Sequence, residues 1–145
     1  MRRAAETPVT TFEYHVAVEW GDCDPAGIVF YPNFYRWMDQ ATYHLFHSVN
    51  LGWNELRERF GAPGLPLISA HATFRSPCRF GDSLQIEAFV SRWGTKSLTV
   101  SHTIRNGGSV AVEGWEKRVW SVGDPESDGR IRPAPIPAAV RAAFA

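Results

Sequence analysis

Cysteine is scarce in this chain, and neither sign of charge is in excess. The two cysteines, Cys23 and Cys78, are too few for a disulfide scaffold and match no zinc-ligand spacing. Fifteen basic and fifteen acidic residues give a net charge of zero, so the composition offers no reason to expect a nucleic acid partner. No apolar run approaches the roughly 20 residues that a membrane-spanning helix needs. We therefore expect a soluble, cytoplasmic protein that binds neither nucleic acid nor membrane.

The N-terminus and the chain length set further limits. Residues 1–8 are basic, but no apolar stretch follows them, so we expect no secretory signal. The 145 residues contain no repeat and no linker, and they suffice for one domain, 1–145, with its own core. Six Trp residues and an aromatic content of 13% indicate a well-filled core, an aromatic pocket or a subunit interface.

The first third of the chain combines two hydrophobic periods. Residues 12–20 alternate between apolar and polar side chains, which predicts a half-buried strand with Trp20 on its apolar face. Pro32 pre-sets the first turn of a helix, and apolar residues then recur at helical spacing as far as Val49. This helix is apolar over much of its circumference, so we expect other elements to enclose it. A shorter helix is predicted over 54–60.

Period two returns after Gly64. Strands are predicted over 67–75, 83–92, 96–105 and 110–122, with turns at Gly94 and 106–108 and a bulge near Gly114. An extended segment over 132–137 leads into a short terminal helix. An antiparallel sheet must cover its apolar face, and only the first helix is long and apolar enough to do so. The order predicts an α+β fold: a curved antiparallel β-sheet wrapped around one long central α-helix.

The loop between the first strand and the long helix carries two acids and two glycines. Residues 21–33 read GDCDPAGIVFYPN, a composition that is typical of an ordinary turn. This loop, however, leads into a helix N-terminus, where free N–H groups and the helix dipole stabilise negative charge. Asp24 lies a few residues upstream, and an ionised carboxylate acts as base or nucleophile at neutral pH. A carboxylate and an N–H donor are the minimum that acyl transfer requires.

The same segment, continued through Arg36-Trp37-Met38-Asp39, resembles the signature of the 4-hydroxybenzoyl-CoA thioesterase family. The resemblance extends more weakly through 68–74 and 92–97. It implies the hot-dog fold and hydrolysis of an acyl-CoA thioester. It also implies homodimers, often paired into homotetramers, with active sites shared across the dimer interface.

The resemblance assigns roles to single residues of this chain. Asp24 matches the family's catalytic aspartate, and Tyr31 matches the residue whose backbone N–H polarises the thioester carbonyl. Asp39 matches an acid near the distal end of the acyl group. Lys96 matches a basic residue that meets the phosphates of CoA. Phe30 is one of the aromatic side chains expected to enclose the acyl group.

Two departures from the family pattern concern the substrate. Gly94 and Thr95 stand where a family member has two arginines, so the contacts to CoA must differ. Leu65 stands where a threonine lies near the hydroxybenzoyl group, and losing a polar contact changes specificity strongly when a site is built around it. Both departures concern the contacts to the substrate, and neither changes the predicted reaction class.

The favoured function is hydrolysis of an aromatic acyl-CoA such as 4-hydroxybenzoyl-CoA, with no cofactor because CoA is part of the substrate. Hydrolysis of short- or medium-chain aliphatic acyl-CoA is one alternative, and non-catalytic binding of acyl-CoA or an acyl carrier is another. A hot-dog dehydratase or hydratase would need a His paired with an acid, and the loop offers none. His44 and His47 lack a third ligand nearby, so no metal site is predicted.

Several charged residues have a plainer interpretation. Asp22 is expected to cap the turn, and Asp39 is three positions from Arg36, close enough for an ion pair on one helix face. His102 has no partner evident in the sequence and is assigned to packing. Lys96 with Arg92 and Arg105 is either a basic patch for phosphates or a set of exposed strand-end charges.

Overall fold

The computed structural model describes residues 9–124 and 126–145. The expectation for residues 1–8 lies outside this part of the chain. The elements, in chain order, are β1 (Thr11–Ala17), a 3₁₀ turn (Trp20–Asp22), α1 (Pro32–Ser48), α2 (Trp53–Phe60), β2 (Leu67–Phe74), β3 (Ser83–Trp93), β4 (Ser97–Asn106), β5 (Ser109–Val119), β6 (Ser121–Gly123), β7 (Ile131–Pro133) and α3 (Ala138–Ala143). None of the helices in the described ranges is both long and apolar enough to cross a bilayer.

The main sheet has five antiparallel strands in the order β1-β3-β4-β5-β2. One of its faces packs against α1, and alternate residues of β3 and β4 are buried there. From the helix, the buried side chains are Phe34, Trp37, Met38, Ala41, Thr42, Leu45 and Phe46. This arrangement confirms the predicted α+β fold, in which one long helix covers an antiparallel sheet.

Two predicted strands are too long. β1 ends at Ala17, and Trp20 is 71% exposed because the chain turns there. The Glu19 N–H bonds to a carboxylate oxygen of Asp22 (2.9 Å), which closes this turn and confirms the capping role of Asp22. The predicted strand over 110–122 is divided into β5 and β6, since β6 leaves the main sheet to pair with β7.

The predicted bulge near Gly114 is also misplaced. Gly114 lies in regular register with Ala72 on one side and His102 on the other, and the register of β5 shifts at Ala111 instead. A Cβ atom on Gly114 would lie 2.7 Å from the His71 carbonyl oxygen and 2.8 Å from Met38 Cε. Glycine is therefore needed for the close approach of α1 and β2 to β5, not for a change of register.

Candidate active site

The loop that contains Asp24 is a compact turn held by its own backbone. The Asp24 N–H donates to the Ile28 carbonyl (2.9 Å), and the Gly27 N–H donates to the Asp24 carbonyl (2.9 Å). Asp24 Oδ1 accepts a hydrogen bond from the Ala26 N–H (2.9 Å). Oδ2 has no hydrogen-bond partner among the described residues. The loop therefore fixes the half-buried Asp24 carboxylate through one oxygen and leaves the other available.

The N–H of Tyr31 lies at the start of α1. Tyr31 is the residue before the first helical residue, Pro32, which itself has no N–H to offer. No acceptor for the Tyr31 N–H occurs within the described ranges. This donor is therefore free to polarise a carbonyl oxygen, and the dipole of the 17-residue helix adds to its effect.

A cleft of about 410 Å³ opens beside Tyr31. Phe34 and Phe74 line it from α1 and β2, and Ile28 joins it to the loop of Asp24. Asp24 itself does not line the cleft. Phe30 is half-exposed and packs edge-on against the Tyr31 ring, with the ring centroids 5.7 Å apart.

Asp39 lies in a second cleft, of about 450 Å³, with Trp53, Leu65 and Arg118. Its Oδ1 accepts a hydrogen bond from Arg118 Nη2 at 2.6 Å. The ion pair expected between Asp39 and Arg36 is wrong, because Arg36 turns toward the loop and pairs with Asp22 at 3.3 Å. The Asp39 cleft shares no lining residue with the cleft at Tyr31.

His102, assigned to packing because the sequence shows no partner for it, has one in the structure. His102 Nε2 lies 2.7 Å from Glu116 Oε1, and both side chains are buried between the sheet and α1. This is the His–acid pair that a hot-dog dehydratase would need. It contacts Thr42, however, which lies eleven residues beyond Tyr31, about 16 Å along the helix axis. A pair so deeply enclosed and so far from the free N–H does not serve a substrate held there.

Burial raises the pKa of the Glu116 carboxyl, but the surrounding groups have the larger effect. The hydrogen bond and charge of His102, the charge of Arg118 and the hydrogen bond from Thr42 together hold its pKa below the ordinary value. Glu116 is therefore an ionised carboxylate in the core at neutral pH. The alternation of β5 contained a signal for it, since Glu116 and Arg118 occupy inward positions that an apolar side chain would normally fill.

Lys96 is exposed at the turn between β3 and β4, where its carbonyl accepts a hydrogen bond from the Trp120 N–H (2.7 Å). Of the two interpretations of Lys96, Arg92 and Arg105, the common basic patch does not form, because Arg105 is nine residues along β4 from Lys96, about 30 Å away. Arg92 instead lines a groove of about 450 Å³ with Lys117 on the other face of the sheet.

No group of three or more His, Cys, Asp and Glu side chains that could hold a metal ion occurs in residues 9–124 and 126–145. The arrangement offers a carboxylate and a free N–H donor at the start of one helix. A second carboxylate lies farther along the same helix in a separate cleft.

Known proteins resemble this chain over most of its length. It is 35% identical over 127 residues to 4-hydroxybenzoyl-CoA thioesterase of Pseudomonas sp. strain CBS-3, and the alignment covers 83% of this chain and 88% of that protein. The solved structure of a mutant 4-hydroxybenzoyl-CoA thioesterase in complex with 4-hydroxybenzoyl-CoA superposes with a TM-score of 0.86 at 30% identity, covering 94% of this chain and 99% of that one. A gentisyl-coenzyme A thioesterase superposes with a TM-score of 0.78 at 35% identity, covering 90% and 99%.

These superpositions confirm the hot-dog fold. The family model described as the Thioesterase-like superfamily matches residues 18–144. The chain therefore belongs to the Thioesterase-like superfamily.

Proposed function

We propose that this protein hydrolyses an aromatic acyl-CoA such as 4-hydroxybenzoyl-CoA to the free acid and CoA. That it hydrolyses acyl-CoA thioesters follows from its family and from relatives that carry this activity in their names. The identity of the acyl group and the roles of single residues are the proposal. The observation that carries it is the free N–H of Tyr31 at the start of α1, next to the loop that holds Asp24.

In the proposed reaction the Tyr31 N–H donates to the thioester carbonyl oxygen and stabilises the charge that develops on it. One such donor typically changes kcat by a factor of about 10² to 10³. Asp24 then acts in one of two ways. As a nucleophile, its free oxygen attacks the carbonyl carbon and expels CoA thiolate, and water hydrolyses the resulting anhydride. As a general base, it takes a proton from water, and the hydroxide attacks the carbonyl carbon and expels CoA thiolate, which leaves the free acid.

The remaining predicted residues are assigned to the substrate. Asp39 would accept a hydrogen bond from a hydroxyl at the distal end of the acyl group, Phe30 would contact the ring, and Lys96 would meet the phosphates of CoA. A hydroxylated aromatic acyl group is supported by the named relatives, which include 4-hydroxybenzoyl-CoA thioesterase and a 1,4-dihydroxy-2-naphthoyl-CoA hydrolase that is 25% identical over 138 residues.

We further propose that two copies complete each site. The Tyr31 cleft lies at the Phe74 end of β2, with the two rings 6.2 Å apart, and the Asp39 cleft lies at the Leu67 end. These ends are about 23 Å apart at 3.3 Å per residue. If β2 pairs with β2 of a second copy around a two-fold axis, the antiparallel strands bring the Tyr31 cleft of one copy beside the Asp39 cleft of the other. A homodimer, or a homotetramer made of two such dimers, is therefore proposed.

The test of the catalytic assignment is Asp24→Asn. We expect hydrolysis of 4-hydroxybenzoyl-CoA to fall by at least a thousandfold, while binding of the ester, measured by calorimetry, is retained. Asp128→Asn, an exposed aspartate elsewhere, is the matched control and should leave turnover unchanged. Turnover that persists in Asp24→Asn would contradict the assignment. Incorporation of labelled oxygen into Asp24 during a single turnover distinguishes the nucleophile from the general base.

A second candidate is hydrolysis of medium-chain aliphatic acyl-CoA. It is favoured by the buried Leu65, which lines the Asp39 cleft and offers no polar contact. A screen of benzoyl-, hydroxybenzoyl-, phenylacetyl- and medium-chain acyl-CoA decides between the two. Binding of all these esters without hydrolysis would support a non-catalytic acyl-CoA-binding protein. A cytoplasmic location stays a prediction from the sequence.

A further inference from the structure

A chain of charged contacts leads from the core to the Asp39 cleft. It begins at His102, whose side chain is fully enclosed, passes through Glu116 and Arg118, and ends at Asp39, whose side chain is 65% exposed. The three inner residues occupy a face of the sheet that is otherwise apolar. Compared with apolar side chains of similar size, groups of this kind rarely add to stability in such a place, since desolvation cancels most of their attraction. Their arrangement therefore needs another explanation.

Glu116 is the anchor of this chain. Its Oε1 accepts hydrogen bonds from Thr42 Oγ1 (2.5 Å) and His102 Nε2 (2.7 Å), and its Oε2 accepts one from Arg118 Nη2 (2.5 Å). With three donors from α1, β4 and β5, the carboxylate has a single orientation. It stays ionised next to Arg118 and holds the guanidinium against the inner face of the sheet.

Arg118 transmits this orientation to the cleft. Its side chain is only 7% exposed, yet it lines the cleft. Nη1 donates to the Leu65 carbonyl oxygen (3.0 Å), and Nη2 donates to Asp39 Oδ1 (2.6 Å) as well as to Glu116. Its Nε is buried and without a partner in the described part of the chain. The guanidinium therefore donates to both carboxylates, while its buried Nε–H makes no hydrogen bond.

Asp39 is held through one oxygen only. Oδ1 is bound to Arg118, and Oδ2 has no hydrogen-bond partner within residues 9–124 and 126–145. On a mostly exposed side chain such a fixed acceptor is unusual, because an unrestrained Asp samples several rotamers. A hydroxyl group that enters the cleft meets an acceptor whose position is already set, and the ordering cost of binding is reduced.

We infer that Arg118, anchored by Glu116, is a positioning residue that fixes Asp39 as the hydrogen-bond acceptor selecting acyl groups with a distal hydroxyl. This inference rests on the proposed function and extends it to residues outside the loop. An acyl group that lacks the hydroxyl covers Asp39 Oδ2 without giving it a donor, so the site discriminates against it. Without Arg118, Asp39 turns to solvent and the discrimination is lost.

The test compares kcat/KM for 4-hydroxybenzoyl-CoA with kcat/KM for benzoyl-CoA. Two variants are used. Arg118→Lys keeps the charge but lacks the second nitrogen, Nη1, whose bond to the Leu65 carbonyl oxygen fixes the plane in which Nη2 meets both carboxylates. Glu116→Gln/Arg118→Met removes the buried charges together and so limits the loss of stability. We expect the preference for the hydroxylated ester to fall about tenfold or more in both. The rate with benzoyl-CoA should change much less. Arg57→Met, an exposed arginine of α2, is the control.

The outcomes separate the two proposals. If the wild-type protein hydrolyses neither ester, the proposed function itself fails. If it hydrolyses the hydroxylated ester preferentially and both variants keep that preference, Arg118 does not position Asp39 and this inference alone is wrong. A general loss of structure would lower both rates in parallel and leave their ratio unchanged, so a fall in the ratio cannot come from a purely structural role.

Discussion

At the residue scale, the sequence identifies candidate catalytic residues in and near the loop before α1. It does not identify side chains that are distant in sequence and come into contact only in the folded chain. Asp24 and Tyr31 are seven positions apart in the segment between β1 and α1, so the local sequence pattern identifies both. Arg118 reaches Asp39 across 79 positions, and the same arginine replaces the local partner that helical spacing had suggested. Spacing shows which contacts are possible on one element, whereas strand register decides which of them form.

The buried carboxylate of Glu116 should make stability depend on pH. The pKa of Glu116 is lower in the folded chain than the ordinary value of 4.5. The ionised Glu116 therefore stabilises the folded state above pH 4.5, and this stabilisation is lost as the pH falls from there through the lowered pKa. We expect Glu116→Gln to reduce the free energy of unfolding at pH 7 by about 3 kcal/mol, because Arg118 loses its buried partner. Urea unfolding of the wild type and of Glu116→Gln at pH 7 and near pH 4 measures the difference between their free energies of unfolding. We expect this difference to be smaller at the lower pH.

Glu113→Gln is the control for this prediction. Glu113 lies on the same strand and pairs with Arg75, but the pair is about half-exposed. An exposed pair contributes less than about 1 kcal/mol. A difference between wild type and Glu116→Gln that stays constant over this pH range would show that the Glu116 charge does not stabilise the fold.

At the element scale, the hydrophobic period predicted the helices and strands correctly wherever their packing against α1 determines the structure. The apolar spacing after Pro32 predicted the central helix, and the alternation after Gly64 predicted four strands of the sheet. The predictions at Trp20 and Gly114 are wrong because a turn and a close backbone contact, not the hydrophobic period, determine the structure there. Trp20 follows the alternation of β1 but lies in a turn closed by Asp22, and Gly114 has its place because a helix passes close to it.

Gly114→Ala tests the close approach of α1 to the sheet. The added methyl group would lie within 2.8 Å of the His71 carbonyl oxygen and Met38 Cε, so the backbone of β2 must shift and the Met38 side chain must repack. Overpacking of this kind costs about 1–3 kcal/mol, and thermal unfolding should show a clear fall in Tm. Gly123→Ala, where nothing lies within 4 Å of the new atom, should leave Tm nearly unchanged. Equal effects in the two variants would mean that the contact at Gly114 is easily relieved.

At the scale of the whole molecule, the feature that a single chain leaves unexplained is the edge of β2, which no strand within residues 9–124 and 126–145 covers. This strand is exposed on both faces and carries the apolar side chains of Leu67, Ile68 and Phe74. Exposed apolar edge strands invite pairing with another chain. The two clefts at the ends of β2 share no residue within one chain, so the pairing proposed above would both cover the edge and join the clefts.

Ala70→Pro should prevent this pairing without unfolding the sheet. The Arg75 N–H donates to the Ala111 carbonyl oxygen (2.8 Å), and because N–H directions alternate along a strand, those of Ala70 and Ala72 point away from β5. Proline at position 70 therefore removes an edge donor but no bond to β5. We expect sedimentation equilibrium to show a monomer, and hydrolysis to fall by more than tenfold because neither cleft is then complete.

Ala70→Val keeps the donor and favours a strand, so it should preserve both the dimer and the activity. The two measurements test separate parts of the argument. A dimer that persists in Ala70→Pro would place the subunit interface elsewhere than at β2. A monomer with full activity would show that the carbonyl end and the distal end of the substrate are bound by one chain, and the reason for joining the two clefts across an interface would disappear.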